Sequence, residues 1–240
     1  MSRKSPALSV YGGKLVVMYA SKWYNSGVET DRIIVRRSAR KTLSLSVNRE
    51  GEAIVLAPLT ARRDDIARFV QRHADWIARR RMELEQARID LADGSRIGIC
   101  GKDLVIATGA RARISSEKIY LPAEGRERAL TAFLKRITRE RMLRFTREYA
   151  FRYGFSYRAI RVSSARGRWG SCSANGVLSF SFRTALLPDE EARYIVVHEL
   201  CHTRHMDHSR AFWHEVGAII ADYASIRKGL RKRSAIMLFL

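Results

Sequence analysis

His198-Glu199-Leu200-Cys201-His202-Thr203-Arg204-His205-Met206-Asp207-His208 is the stretch on which the reading of this chain turns. Two histidines four residues apart lie one turn apart on the same face of an α-helix, so their imidazoles can converge on one ion. Glu199 then points to a neighbouring position, close enough to hold a metal-bound water without being a ligand. A catalytic zinc needs a third protein ligand and one open position. His208 supplies the third if the helix breaks after about Met206 and the chain turns back, and Asp207 and Ser209 suit the end of one element and the cap of the next. Two rivals stand beside it. His205 is almost on the same face, but an unbroken helix places it ~10 Å along the axis from His198. Glu215 is an acidic rival from the following helix. Cys201 faces away from the paired histidines and is expected to pack. Ordinary core histidines are the bland alternative, disfavoured because four of the six histidines fall in these eleven residues.

Outward from this stretch, Pro188-Asp189-Glu190-Glu191 opens the helix, with proline in its first turn and acids at the positive end of its dipole. Ile195-Val196-Val197 gives it a buried approach. Upstream, Ile160–Ser163 and the alternating Val177–Arg183 read as strands. Arg168-Trp169-Gly170-Ser171-Cys172 between them has two readings. Arg168 can bind a carboxylate, phosphate or oxyanion, with Trp169 walling a cleft and Gly170 allowing close backbone approach; or the segment is a tight turn whose Trp fills the core. Downstream, a helix is expected from near Ser209 to Lys228, followed by a basic and then apolar tail of no legible role.

The rest of the chain alternates strands and helices. A loosely held arm is expected over residues 1–30. Leu43–Val47 and Ile54–Leu56 flank a polar Gly51 loop and read as a β-hairpin. Ala61 to about Arg88 is a predicted helix, Gly94–Leu121 holds short strands, and about Arg126–Tyr153 is a second long helix. We expect a single main domain over 31–230, with an N-terminal hairpin-and-helix part over about 31–122, a catalytic part over about 123–230, and a tail over 231–240.

Composition frames the function. The 240 residues carry 45 Lys and Arg against 24 Asp and Glu, a net charge of +21. Such an excess attracts anions: nucleic acid, a phosphorylated small molecule or an acidic surface. Three widely spaced cysteines, Cys100, Cys172 and Cys201, make no disulfide framework. No apolar run approaches the ~18 residues of a membrane span, and Leu15–Ala20 is too short for a signal-peptide core. The expected location is cytoplasmic, with no membrane partner.

Several motifs in order carry a resemblance. Arg168-Trp169-Gly170-Ser171-Cys172, Val177–Phe182, Pro188, Tyr194-Ile195-Val196-Val197-His198-Glu199-Leu200-Cys201-His202, His208-Ser209 and Phe212-Trp213 resemble the YgjP-like metallopeptidase family, and more distantly the SprT and WLM zincins. Val35–Leu43, Pro58 and Phe69–Ile77 are similar to the family's opening. The resemblance spans roughly residues 31–230. It implies an α+β, zincin-like fold with small antiparallel sheets over an HExxH helix, zinc on His198, His202 and His208, and Glu199 as general base. The histidine spacing agrees with the longer metzincin pattern, but His205 stands where that pattern has glycine, so its turn is not carried over.

Peptide or protein hydrolysis is the activity this implies. Three alternatives remain open: pyrophosphate release from a nucleoside triphosphate, a DNA-associated protease like the SprT group, and a non-enzymatic nucleic-acid-binding zinc protein. The last leaves Glu199 without a task and the zinc with an open position.

Overall fold

The computed structural model describes residues 8–11, 14–18 and 33–239, so most of the expected arm lies outside the described residues. The chain forms two compact units, Met1–Arg88 and Ile89–Leu240. The strands of 96–121 share a core with the long helix that follows them.

The first unit holds β1 (Leu8–Tyr11), β2 (Lys14–Met18), β3 (Ile33–Ser38), β4 (Ser44–Val47), β5 (Ala53–Pro58), α1 (Arg63–Arg72) and α2 (Ala74–Gln86). Its sheet runs β1-β2-β3-β5-β4. The expected hairpin is β4–β5, closed by Asn48, whose Oδ1 accepts from the Glu52 N–H at 2.8 Å. Ala53, Val55 and Ala57 alternate inward along β5. The single helix expected over 61–88 is two. His73 leaves helical geometry at φ −107°, ψ 14°, and its Nδ1–H donates to the Phe69 carbonyl at 2.7 Å.

The second unit holds β6 (Arg96–Ile99), β7 (Lys102–Thr108), β8 (Arg113–Ser115), β9 (Lys118–Leu121), α3 (Arg126–Tyr153), β10 (Ala159–Ser163), β11 (Gly170–Cys172), β12 (Val177–Ser181), α4 (Asp189–Cys201), α5 (Arg210–Ile219) and α6 (Tyr223–Lys232). It has a four-stranded sheet, β6-β7-β9-β8, and a three-stranded one, β10-β12-β11. The α+β class holds, but the sheets are mixed rather than antiparallel: β3 with β5, β7 with β9 and β10 with β12 run parallel. Each parallel pair arises because the chain puts another strand or a loop between the two partners in sequence, so the second strand re-enters in the same direction.

Two apolar cores lie along α3. Its first half, through Leu130, Phe133 and Leu134, meets Ile97, Leu104 and Ile119. Its second half, through Met142 and Phe145, joins Leu178 and Phe180 of β12 and the apolar side of α4. At 28 residues α3 is about 42 Å long, enough to serve both. Buried Arg141 ties it to the start of α4, donating to Asp189 Oδ1 at 2.6 and 2.9 Å and to the Thr184 carbonyl at 2.9 Å. Ala192, Ile195, Val196, Val197, Leu200 and Cys201 are all buried, so α4 is the central helix of its core.

The helix expected over 209–228 is broken in two at Ile220, whose extended backbone (φ −131°, ψ 95°) ends α5. The tail is docked: Arg233–Leu238 forms a 3₁₀ helix with Ala235 and Met237 buried, and Arg183 Nε donates to the Phe239 carbonyl at 2.8 Å. No described helix is long and apolar enough to cross a membrane.

Candidate metal centre

The end of α4 builds the site. His198 and Glu199 lie in its last turns and His202 is its C-cap residue. The chain then leaves the helix in a tight turn, with the N–H groups of Thr203, Arg204 and His205 donating to the Leu200 and Cys201 carbonyls. α5 starts again at Ser209, whose Oγ accepts from the Phe212 N–H. The turn and the cap together swing His208 back towards the helix it left.

The result brings the three imidazoles together. One ring nitrogen each of His198, His202 and His208 lies within 4.8 Å of the others. His198 Nε2 and His208 Nε2 are 3.2 Å apart. Two nitrogens on one tetrahedral zinc, each at ~2.0–2.1 Å, stand about 3.3 Å apart, so this pair is already spaced for an ion. His202 Nδ1 donates to the His205 carbonyl at 2.9 Å, because the carbonyl can only accept. That bond fixes the tautomer and leaves Nε2 with its lone pair free, as a ligand requires.

A buried aromatic floor orients the rings. Phe212, wholly inaccessible, stacks on His202 at 4.5 Å between centroids and meets His198 and His208 at 4.9 Å each. Trp213 adds a second wall, 5.5 Å from His208 and 5.9 Å from His198. In the sequence both rings stand only among the residues of the family resemblance, without a role at the site.

Burial sets the charge state. It pushes the His198 imidazole down to about 3, with His202, His208 and Arg227 adding to the effect. His202 is also lowered, again chiefly by burial. Neutral imidazoles are the form that binds a metal. Burial raises the Glu199 carboxyl to about 8, against the opposing charge of Arg168. Glu199 Oε2 is buried with no hydrogen-bond partner, and the residue lines the same cavity as His198. The donor set and this orphaned oxygen fit a metal ion with a reacting group beside it.

The rivals for third ligand are engaged elsewhere. His205 Nε2 lies 3.2 Å from Glu215 Oε2, and Arg204 pairs with Glu215 Oε1. Glu215 thus anchors the turn, and His205 serves through its carbonyl. Cys201 is fully buried in the core, in keeping with packing.

The Arg168–Gly170 segment lies between the core and the cavity that His198 and Glu199 line. Trp169 packs against the core and also lines the cavity. Gly170 opens β11, antiparallel to β12, with Glu199 against its backbone: a Cβ added there would lie 2.5 Å from Glu199 Oε1 and 2.7 Å from its Cγ. Arg168 is exposed at the cavity edge. Tyr194, Arg227 and Arg231, also in the lining, carried no role in the sequence reading.

A family model described as "YgjP-like, metallopeptidase domain" matches residues 41–233. Among solved structures, the chain is similar to the crystal structure of the metallopeptidase zymogen of Pyrococcus abyssi abylysin, at 21% identity over 37% of this chain and 90% of that one. The TM-score is 0.35, too low to define a shared fold. No curated protein matches. Because the family model spans most of the chain, including the HExxH helix and His208, this protein belongs to the YgjP-like metallopeptidase family.

Proposed function

We propose that the protein is a zinc-dependent peptidase in which His198, His202 and His208 hold the metal and Glu199 is the general base. The observation that carries this is the meeting of three imidazole nitrogens within 4.8 Å beside a buried carboxylate oxygen that has no partner. Zinc in such a site supplies Lewis-acid polarisation of the scissile carbonyl and a more acidic attacking water.

The chain's own residues do the rest. Glu199 Oε2 takes the proton of the attacking water and passes it to the leaving amine nitrogen. A carboxyl held protonated near neutrality by burial becomes ionised when a divalent cation sits beside it, which makes it available as a base. The backbone of Gly170 confines Glu199 on one side, and the His205 carbonyl holds His202 on the other. Tyr194 lines the cavity one turn before His198, and burial pushes its phenol up to about 12, so it remains a hydrogen-bond donor.

Replacement of Glu199 by Gln tests the assignment. The variant should keep one zinc per chain by elemental analysis and lose peptide turnover by at least about 10²-fold. Wild-type turnover in that variant would remove Glu199 from the chemistry.

A further inference from the structure

The cavity beside His198 and Glu199 has a volume of about 310 Å³ and a one-signed charge pattern. Arg168 enters from the β11 side, and Arg227 and Arg231 enter from α6, one turn apart on one face. Glu199 is the single acid among the lining residues. Several other arginines of this unit are matched with acids: Arg126 with Asp93, Arg141 with Asp189, Arg193 with Glu148, Arg204 with Glu215 and Arg233 with Glu191. No ion pair among the described residues engages Arg168, Arg227 or Arg231. Arg227 is nevertheless held in place, its guanidinium 4.6 Å from the centre of the Trp213 ring, the ring that also walls His198 and His208.

From this arrangement, and resting on the peptidase reading above, we propose that Arg168, Arg227 and Arg231 form an anion-binding subsite that selects peptides carrying a carboxylate next to the scissile bond. Trp169, Ile195 and Leu230 give the cavity apolar walls, beside the polar groups of Tyr194 and Ser234. Apolar walls rimmed by guanidiniums suit a short aliphatic chain ending in a carboxylate, which is an acidic side chain or a chain terminus. A polyphosphate is a poorer match. Many phosphate sites add backbone N–H groups at a helix N-terminus to their arginines, whereas α4 and α6 meet this cavity through side chains from their middle and later turns. Arg168 also lines the adjoining groove with Arg158 and Arg161, so positive charge continues along the three-stranded sheet. An acidic substrate would meet the same sign of potential over a longer stretch.

The test uses the full-length zinc-loaded protein and internally quenched peptides that differ at one position flanking the cleaved bond: Glu, Gln or Lys. A second set places a free or an amidated C-terminus there, to separate side-chain from terminal carboxylate. The proposal expects kcat/KM about tenfold higher for one carboxylate-bearing member than for its neutral counterpart, and lowest for Lys. In Arg231→Gln and in Arg227→Lys, whose ammonium keeps the charge but cannot make a bidentate contact, the Glu-to-Gln ratio should fall towards one and to an intermediate value respectively. Equal kcat/KM across the peptides would overturn the subsite while leaving the peptidase intact. Fluorescence anisotropy of the same peptides, labelled, on the zinc-loaded Glu199→Gln protein reads binding without turnover. An acidic preference there that Arg231→Gln removes, with no cleavage of any peptide by the wild type, would uphold the subsite and refute the peptidase. Pyrophosphate release from a nucleoside triphosphate, with no charge preference among peptides, would overturn the proposal in favour of phosphoanhydride chemistry.

Discussion

Replacing Gly170 with Ala places a methyl group against Glu199, 2.5 Å from Oε1, 2.7 Å from Cγ and 2.9 Å from Cδ. Non-bonded heavy atoms settle at roughly 3.5 Å or a little less for carbon against oxygen, so the carboxylate or the strand must give by about 0.8 Å. β11 is held by its pairing with β12, and the Ser181 N–H donates to the Trp169 carbonyl at 2.8 Å, so the displacement falls mainly on Glu199. Moving a reacting group by about 1 Å costs on the order of 10²-fold in rate. We expect kcat for a peptide substrate to fall between about tenfold and 10²-fold, or about 1.4–2.7 kcal/mol of barrier. Zinc content should stay near one per chain, because Gly170 meets Glu199 and not the imidazoles. Gly167, where an added Cβ meets nothing within 4 Å, provides the control: Gly167→Ala should match the wild type. Wild-type kcat in Gly170→Ala, or loss of zinc together with activity, would refute the reasoning.

Other outcomes follow from the same geometry. His208→Ala should lower zinc affinity sharply, read by competition with a chelator, while the far-ultraviolet circular dichroism stays unchanged. Phe212→Ala removes the floor of the three imidazoles and opens a core cavity, so it should cost about 3–5 kcal/mol in denaturant unfolding. The metal-free protein should show a pH optimum of stability. Below 6.5 the unfolded chain protonates His198 while the folded form resists down to about 3, so stability falls as pH drops. Above 4.5 the unfolded chain ionises Glu199 while the folded form keeps its proton to about 8, so stability falls as pH rises. Between 4.5 and 6.5 the Glu199 slope opposes those of His198 and His202, whose imidazole is also lowered; from 6.5 to pH 8 only the Glu199 loss remains, up to about 2 kcal/mol. Thermal melts across pH with a chelator present check this, and a stability that rises from pH 6.5 to 8 would contradict it.

Much of the centre was legible because its pattern is local. His198, Glu199 and His202 follow from helical periodicity, and Ser209 announced the cap that returns His208. The sheets were less legible. Periodicity identifies a strand but not the direction of its partner, so the parallel pairing of β10 with β12 lay beyond it. His73 interrupts a run whose apolar spacing continues across it, which is why one helix was expected where two form. The lining of the cavity was the least accessible. Arg227 and Arg231 look like any solvated face of a basic helix until tertiary packing places α6 beside His198.

Phe212 belongs at once to the hydrophobic centre of its unit and to the underside of the imidazole cluster. One aromatic ring therefore couples bulk packing to the geometry of the three imidazoles. A loosening of the interior that displaces this ring would shift the three histidines packed on it. Retention of the proposed zinc during warming would then gauge internal order, with an expected drop ahead of the global transition.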